Sequence, residues 1–204
     1  MSQRSDARRN RAKILAAAEE IFAAESVSVP LQQIAQRAQV GRGTLYRHFP
    51  DRHSLVAGVF EDRLVALEQL VADRPDDPSV LLLLLRRVAA EQVRIPGLFR
   101  LVFSEGAFQG HLAPLRRRAV DLLAEPLEWS RRAGAVRADL TVDDLLTIVS
   151  MVYGVVNGPL RPAGRVGTTG SAGRVGTVGP APYAGATAVS RAMDLVIDGL
   201  VPRP

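Results

Sequence analysis

The sequence of 204 residues contains no cysteine and only three histidines. Without cysteine the chain forms no disulfide bond, thiolate zinc site or cysteine nucleophile, which agrees with the cytoplasmic location that we expect. The histidines offer no metal pair either, because His48 and His53 lie on either side of Pro50 and do not share a helix face at i, i+4. We therefore predict no metal ion and no cofactor.

Long hydrophobic runs are missing as well. No uncharged apolar run reaches the ~18 residues of a transmembrane helix, and the polar N-terminus lacks the apolar core of a signal peptide. The serines are scattered, His111 has no partner that the sequence places beside it, and the glycines lack the strand–turn–helix setting and the lysine of a phosphate loop. The sequence therefore predicts neither a membrane partner nor an enzyme.

Positive charge is concentrated near the N-terminus. Residues 1–53 carry nine Lys or Arg against five Asp or Glu, whereas residues 54–204 carry seventeen against sixteen. A basic end on a nearly neutral chain suits contact with a polyanion such as DNA. A solvated basic tail explains the same charge equally well, so charge alone does not decide between the two.

The hydrophobic pattern is helical, and no strand-like alternation competes with it. Residues 1–9 are polar and rich in arginine, and we predict a flexible arm there. Pro30 suits the first turn of the second helix, and Asp51 suits the N-cap of the fourth. The four N-terminal helices are predicted at 10–25, 31–38, 42–49 and 52–72.

The rest of the chain continues the helical pattern. Pro126 should kink or split one long helix, because proline lacks the N–H that a helix interior needs. Residues 161–182 are rich in glycine and proline, lose all periodicity and are predicted to be a disordered loop. The predicted fold is all-α with about nine helices, the last of them at 79–93, after Pro96, at 111–133, at 139–157 and at 185–200.

The second and third helices, joined by a three-residue turn at 39–41, have the spacing of a helix-turn-helix unit. In that unit the second helix lies in the major groove of DNA, although an ordinary helical hairpin would share the spacing. The inner faces carry apolar residues that can pack together: Ile34, Ala35, Ala38, Val40, Leu45 and Phe49. The outer face carries side chains suited to phosphate or base edges: Arg42, Thr44, Tyr46, Arg47 and His48.

The residues themselves favour DNA binding over the hairpin. The segment Val40-Gly-Arg-Gly-Thr-Leu-Tyr-Arg-His-Phe-Pro-Asp-Arg-His-Ser-Leu55 resembles the DNA-binding domain of the tetracycline-repressor (TetR) family. The resemblance implies that Leu45 and Phe49 pack inside the module and that Arg52 contacts a backbone phosphate. It implies DNA contacts for the outer residues Arg42, Thr44, Tyr46, Arg47 and His48.

Three positions depart from the family pattern. The family usually has glycine where this chain has Gln39, and a serine-like cap where it has Gly41. We expect Gln39 to adopt the left-handed conformation at some cost, and Gly41 to cap its helix more weakly. Pro30 replaces the cap ahead of the second helix.

The resemblance implies a homodimeric regulator, a repressor that binds a near-palindromic DNA operator and is released by a small-molecule effector. Residues 1–50 would form the helix-turn-helix DNA-binding domain, and residues 51–204 the helical dimerisation and effector-binding domain. The alternative is a DNA-binding architectural protein without effector control, which an operator specificity ratio above ~10³ would exclude. A ligand-binding protein that no longer binds DNA is disfavoured by the basic outer face.

Two expectations concern the C-terminal region. The apolar stripes at 142–157 and 185–200 predict a homodimer in which both helices pair with their two-fold mates, with Val152 and Met193 in the interface. Aromatic and methionine residues are candidate ligand contacts, although the same spacing suits an ordinary core. They are Phe99, Phe103, Trp129, Met151 and Tyr153.

Overall fold

The computed structural model describes residues 3–95, 97–103, 109–157 and 186–202. Every regular element in these ranges is an α-helix, which confirms the predicted all-α fold. No helix in them is long and apolar enough to cross a membrane. The predicted loop at 161–182 lies outside the described residues. The helices are α1 (Gln3–Ala24), α2 (Leu31–Arg37), α3 (Arg42–His48), α4 (Arg52–Ala72), α5 (Val80–Arg94), α6 (Leu98–Phe103), α7 (Gln109–Asp121), α8 (Ala124–Arg132), α9 (Val142–Asn157) and α10 (Ala186–Leu200).

Local sequence signals set several of these boundaries. Helix α4 has the predicted bounds, and Asp51 is its N-cap. The Asp51 carboxylate accepts a hydrogen bond from the Ser54 N–H at 2.7 Å, while the Ser54 hydroxyl accepts one from the Asp51 N–H at 3.3 Å. This reciprocal capping box satisfies two backbone donors that a helix start leaves free. Pro30 lies one position earlier than predicted, at the N-cap of α2.

The predicted arm at 1–9 was wrong. It is helical from Gln3 onward, because its arginines and alanine are good helix formers and Asp6 in the first turn complements the helix dipole. The stretch at 111–133 is split into two helices, α7 and α8, which is one of the two outcomes predicted for Pro126, and the described residues therefore contain ten helices. Proline at position 126 leaves the carbonyl four residues earlier without its donor, so the chain breaks at 122–123.

Three hydrophobic clusters stabilise the fold, and α4 contributes to each. Its first turns pack Leu55, Val56 and Val59 with the buried residues of α1, α2 and α3. Leu64 packs with residues of α6 and α7. Val71 packs in the largest cluster, among α5, α8, α9 and α10. The apolar cluster around the first three helices therefore continues beyond residue 50, while the predicted domain division at that residue stays a prediction.

Helix α5 is the centre of the C-terminal cluster. It packs against both α9 and α10 and covers their inner faces. Val152 and Met193, predicted to face a partner subunit, are 4% and 2% exposed in the single chain. That prediction was wrong, because α5 supplies the cover that we had assigned to a second copy. The outward faces of the same two helices instead expose Met151 and Leu195, at 58% and 65%.

Gly58 allows α4 to lie close to the N-terminal helices. A Cβ at this position would stand 3.0 Å from Leu15 Cδ2 of α1 and 3.0 Å from Cε1 of Phe49, which ends α3. Arg11 also lies at this junction, with its Nη2 3.6 Å from the same Cβ position and its Cζ 5.6 Å from the centre of the Phe49 ring. The absence of a side chain at 58 therefore sets the distance between the helix-turn-helix and α4.

We predict that Gly58→Ala and Gly43→Ala differ in their effect on stability. Each replaces glycine within a helix, which by itself stabilises by roughly 0.5–1 kcal/mol. Among the described residues, no atom beyond the chain neighbours and its own helix backbone lies within 4 Å of a Cβ at Gly43, so that variant should show the full gain. At Gly58 the added methyl group would overpack the junction, which typically destabilises by ~1–3 kcal/mol. This loss should cancel or exceed the gain in helix stability. Chemical denaturation measures both free energies of unfolding, and equal gains would contradict the close packing.

Candidate DNA interface and ligand cavity

The turn between α2 and α3 has the geometry that its sequence predicts. Gln39 adopts a left-handed conformation with φ 55°, as expected from the missing glycine. The Val40 N–H donates to the Ala35 carbonyl at 3.0 Å, which closes the turn. Gly41 begins α3 without a side-chain cap, and its carbonyl accepts the N–H groups of Thr44 and Leu45 at 2.9 and 3.1 Å. The two helices are thereby held in a fixed orientation.

The inner and outer faces of α3 divide as predicted. Leu45 and Phe49 are buried, at 1% and 3% exposure, against the buried face of α2. On the outer face Arg42, Tyr46 and Arg47 are exposed, while Thr44 and His48 are half-buried. The structure thus brings five of the six predicted DNA contacts together on one short helix.

Charge on this outer face is available to a ligand. The Arg42 guanidinium lies over the Tyr46 ring, with its Cζ 5.5 Å from the ring centre. Within the part of the chain that the structure describes, neither Arg42 nor Arg47 is paired with a carboxylate. The side chains of Arg42, Arg47 and Tyr46 can therefore donate hydrogen bonds to DNA phosphates and base edges.

Arg52 has a structural contact that the sequence reasoning missed. Its Nη1 donates a 2.7 Å hydrogen bond to the Val27 carbonyl, and the residue is half-buried. This bond ties the start of α4 to the segment before α2. The guanidinium retains other N–H donors, so the contact leaves the predicted phosphate role open.

An apolar cavity of about 80 Å³ lies between α4, α5, α6, α7 and α9. Of the five predicted ligand contacts, Phe99 and Phe103 line it, with their rings stacked at 4.2 Å. Tyr153 stacks behind Phe99 at 6.2 Å and is outside the wall. The remaining lining residues are mainly aliphatic or aromatic: Phe60, Leu64, Leu67, Leu84, Val88, Ile95, Leu98, Ala119, Leu122, Leu123, Leu146 and Val149.

Two predicted ligand contacts lie elsewhere. Met151 is exposed on the outer face of α9, and Trp129 packs against the large C-terminal cluster. Neither lines the cavity. Residue type alone suggested them, but their positions on α9 and α8 turn them away from the space between α4 and α5.

The cavity also has a polar end that the sequence reasoning did not identify. Arg63, Glu91 and Gln92 complete its wall. Gln92 is 4% exposed and lies on the buried stripe of α5, four residues after Val88. The sequence did contain a signal for this polar end. Gln92 is a polar residue at a position where the helical periodicity of α5 predicts an apolar core residue, and buried polar groups need partners.

An ion-pair cluster joins this polar end to α1. Arg63 of α4 donates from Nη1 to Glu91 of α5 and from Nη2 to Glu19 of α1. The side chains of Arg63, Glu91 and Glu19 are only 12%, 18% and 26% exposed. Arg94 also pairs with Glu19, at 2.6 Å, and Arg87 with Glu91, at 3.3 Å. One residue of the cavity wall therefore bonds directly to the first helix of the helix-turn-helix region.

Helix α7 is tied to α4 on the other side of the cavity. Arg118 makes two hydrogen bonds to the Glu68 carboxylate, at 3.0 and 2.7 Å. This paired contact raises the pKa of the Arg118 guanidinium. Helix α4 is thus held by charge both to α7 and to α1.

The fold and the helix-turn-helix surface define a DNA-binding transcriptional regulator, and known proteins similar to this chain agree with that class. Residues 14–59 match the model of bacterial regulatory proteins, tetR family. A TetR transcription regulatory protein from Mycobacterium vanbaalenii is 27% identical with a TM-score of 0.64, covering 98% of this chain and 100% of its own. A TetR transcriptional regulator from Streptomyces coelicolor is 26% identical with a TM-score of 0.60, covering 95% and 99%. Residues 14–59 therefore carry a tetR-family domain, and the whole chain is similar to solved TetR regulators.

A third solved structure, a gamma-butyrolactone receptor described as ArpA-like, is 25% identical with a TM-score of 0.54. The match covers 72% of this chain and 82% of that chain. Among curated proteins, no sequence matches this chain.

Proposed function

We propose that this protein is a ligand-responsive repressor, which binds a near-palindromic operator as a homodimer and leaves it when a small molecule occupies the cavity. The observation that carries the proposal is that α4 both packs in the helix-turn-helix cluster and lines the cavity. A solved structure similar to this chain is a gamma-butyrolactone receptor, and a receptor for a small molecule supports an effector site here.

Screening tests the effector part of this proposal. A small-molecule collection that includes gamma-lactones can be tested by thermal shift, since a ligand at 100 times its Kd adds ~2.7 kcal/mol of stability. A true effector should also lower the affinity for DNA that the protein selects from a random-sequence library. Sequence-independent DNA binding with no responsive ligand would favour the architectural alternative.

In the DNA complex, α3 would lie in the major groove with Arg42, Thr44, Tyr46, Arg47 and His48 toward the DNA. Exposure and lack of carboxylate partners in the described region support this role for Arg42 and Arg47. Arg52 would contact a phosphate with the donors that its bond to Val27 leaves free. Two such heads about one helical turn apart, ~34 Å, would match an operator with two half-sites.

We predict that Arg47→Ala weakens binding to the selected DNA by about 1–3 kcal/mol. If Arg47 contacts a phosphate, the log–log salt slope should also become shallower by about 0.9. Arg117→Ala, on the exposed face of α7, removes the same charge far from α3 and serves as the matched control. Fluorescence anisotropy at several salt concentrations measures both variants. Wild-type affinity in Arg47→Ala would remove α3 from its proposed role.

The homodimer would form through the outward faces of α9 and α10. Met151 and Leu195 are large apolar side chains on adjacent helices, and both are more than half exposed. Pairing these two helices with their two-fold mates would give an isologous four-helix interface that covers both residues.

We predict that Met151→Asp combined with Leu195→Asp produces folded monomers, because neither side chain belongs to the core of the single chain. Val65→Asp, at a 49% exposed valine on α4, controls for added surface charge. Sedimentation velocity at micromolar concentration measures the oligomeric state. A double variant that sediments as a dimer would exclude this interface, and a monomeric wild type would exclude the homodimer.

Coupling between cavity and DNA would run through Arg63. A ligand that moved α4 or α5 would disturb Arg63 and Glu91, and through them the bond to Glu19 on α1. A ligand shifts an equilibrium only by its differential affinity for two states, so along this route the cluster would differ between the DNA-bound and ligand-bound forms.

We predict that Glu19→Gln reduces the factor by which an effector lowers DNA affinity, about fivefold or more if the cluster carries 1 kcal/mol or more of the coupling. Glu20→Gln is the matched control, since Glu20 pairs with Arg37 of α2 and has no contact with the cavity wall. DNA titrations with and without the screened effector give the coupling for each protein. An unchanged factor in Glu19→Gln would show that coupling takes another route.

A further inference from the structure

Gln92 carries a buried hydrogen-bond acceptor that no described protein group satisfies. Its Nε2 donates to the Val149 carbonyl of α9 at 3.1 Å. Its Oε1 is buried and accepts no hydrogen bond within the described ranges. The only other such buried atom there, Arg131 Nε, belongs to a residue outside the cavity wall.

The orientation of the amide follows from its partner. The Val149 carbonyl can only accept, so the amide nitrogen must face it and the amide oxygen must face away. Rotating the amide would bring two acceptors together and leave the nitrogen without its acceptor. The atom of this wall residue that lacks a partner in the described region is therefore an acceptor, and it requires a hydroxyl or N–H donor.

The other residues of the cavity wall disfavour a charged ligand. Apart from Gln92, the polar residues of the wall are Arg63 and Glu91, which pair with each other, with Glu19 and with Arg87. A charged ligand would have to break one of these half-buried pairs or enter the cavity unpaired, and both are unfavourable. The aliphatic and aromatic side chains supply the remaining contact area.

We propose that the effector of this regulator is a neutral, mainly apolar molecule whose hydroxyl or N–H group donates a hydrogen bond to Gln92 Oε1. This proposal rests on the effector-binding function proposed above and names the ligand class and the residue that selects it. Gln92 is then the specificity-determining residue of an otherwise apolar site.

Two isomeric probes test the donor requirement. Heptan-1-ol and 1-methoxyhexane have the same atoms and similar shape, but only the alcohol donates a hydrogen bond. Ligand-observed NMR titration of the full chain should give about threefold to tenfold tighter binding of the alcohol, the usual net effect of one hydrogen bond. Heptanoate, the charged counterpart, should bind more weakly than heptan-1-ol.

The variant Gln92→Leu removes the acceptor and keeps an apolar side chain of similar size. It should bind 1-methoxyhexane at least as tightly as wild type and lose the preference for the alcohol. Gln36→Leu, on the exposed face of α2, is the matched control and should keep that preference. The comparison of the two probes in wild type remains decisive if Gln92→Leu does not fold.

The outcomes separate the two proposals. Equal binding of alcohol and ether to wild type, or tighter binding of heptanoate, would overturn the role of Gln92 while leaving the cavity as an effector site. Failure of all three probes to bind up to their solubility limits would overturn both the ligand class and the proposed effector cavity.

Discussion

Burial of one helix in three separate apolar clusters is the constraint on which the rest of this structure depends. Helix α4 has 21 residues and spans about 31 Å at 1.5 Å per residue. Its first turns belong to the helix-turn-helix cluster, its middle to the cavity wall and its last turn to the C-terminal core. Because a packed helix moves as a unit, a displacement at the cavity would be carried to the helix-turn-helix.

The charges on α4 make this connection specific. Arg63 is almost enclosed and is held by carboxylates from two different helices. Removing one partner from a half-buried ion pair leaves a charge without compensation, which is strongly unfavourable. The cluster therefore favours one arrangement of α1, α4 and α5 over intermediate ones. Gly58 also favours a fixed position of α4 beside α1 and α3, since it allows Leu15 and Phe49 to lie close to α4.

The polar groups in and around the cavity have different functions. Arg63 and Glu91 neutralise each other and hold helices together. The amide nitrogen of Gln92 donates to the α9 backbone, and its oxygen has no partner among the described residues. Arg52, which the sequence assigned to DNA, also fixes the start of α4 through the Val27 carbonyl. A side chain with several donors can stabilise the fold and still contact a ligand.

Local sequence determined the helices and the DNA-binding module. Helical periodicity, the Asp51 N-cap and the break before Pro126 depend on neighbours a few residues away, and the sequence pattern predicted them. The division of α3 into a buried face and an outer face followed from the same periodicity. The left-handed Gln39 was predictable from the resemblance, because the TetR family usually has glycine at that position of the turn.

Only the tertiary structure decided which apolar faces meet and which enclose a cavity. Periodicity showed that Val152 and Met151 lie on α9, but the position of α5 buries the first and leaves the second exposed. Trp129 and Phe99 are both aromatic residues on helices, yet only Phe99 faces the space beside α4. The pairing of Arg63 with Glu19 and Glu91 joins residues 44 and 28 positions apart. Such contacts depend on how whole helices pack, and no local pattern specifies that.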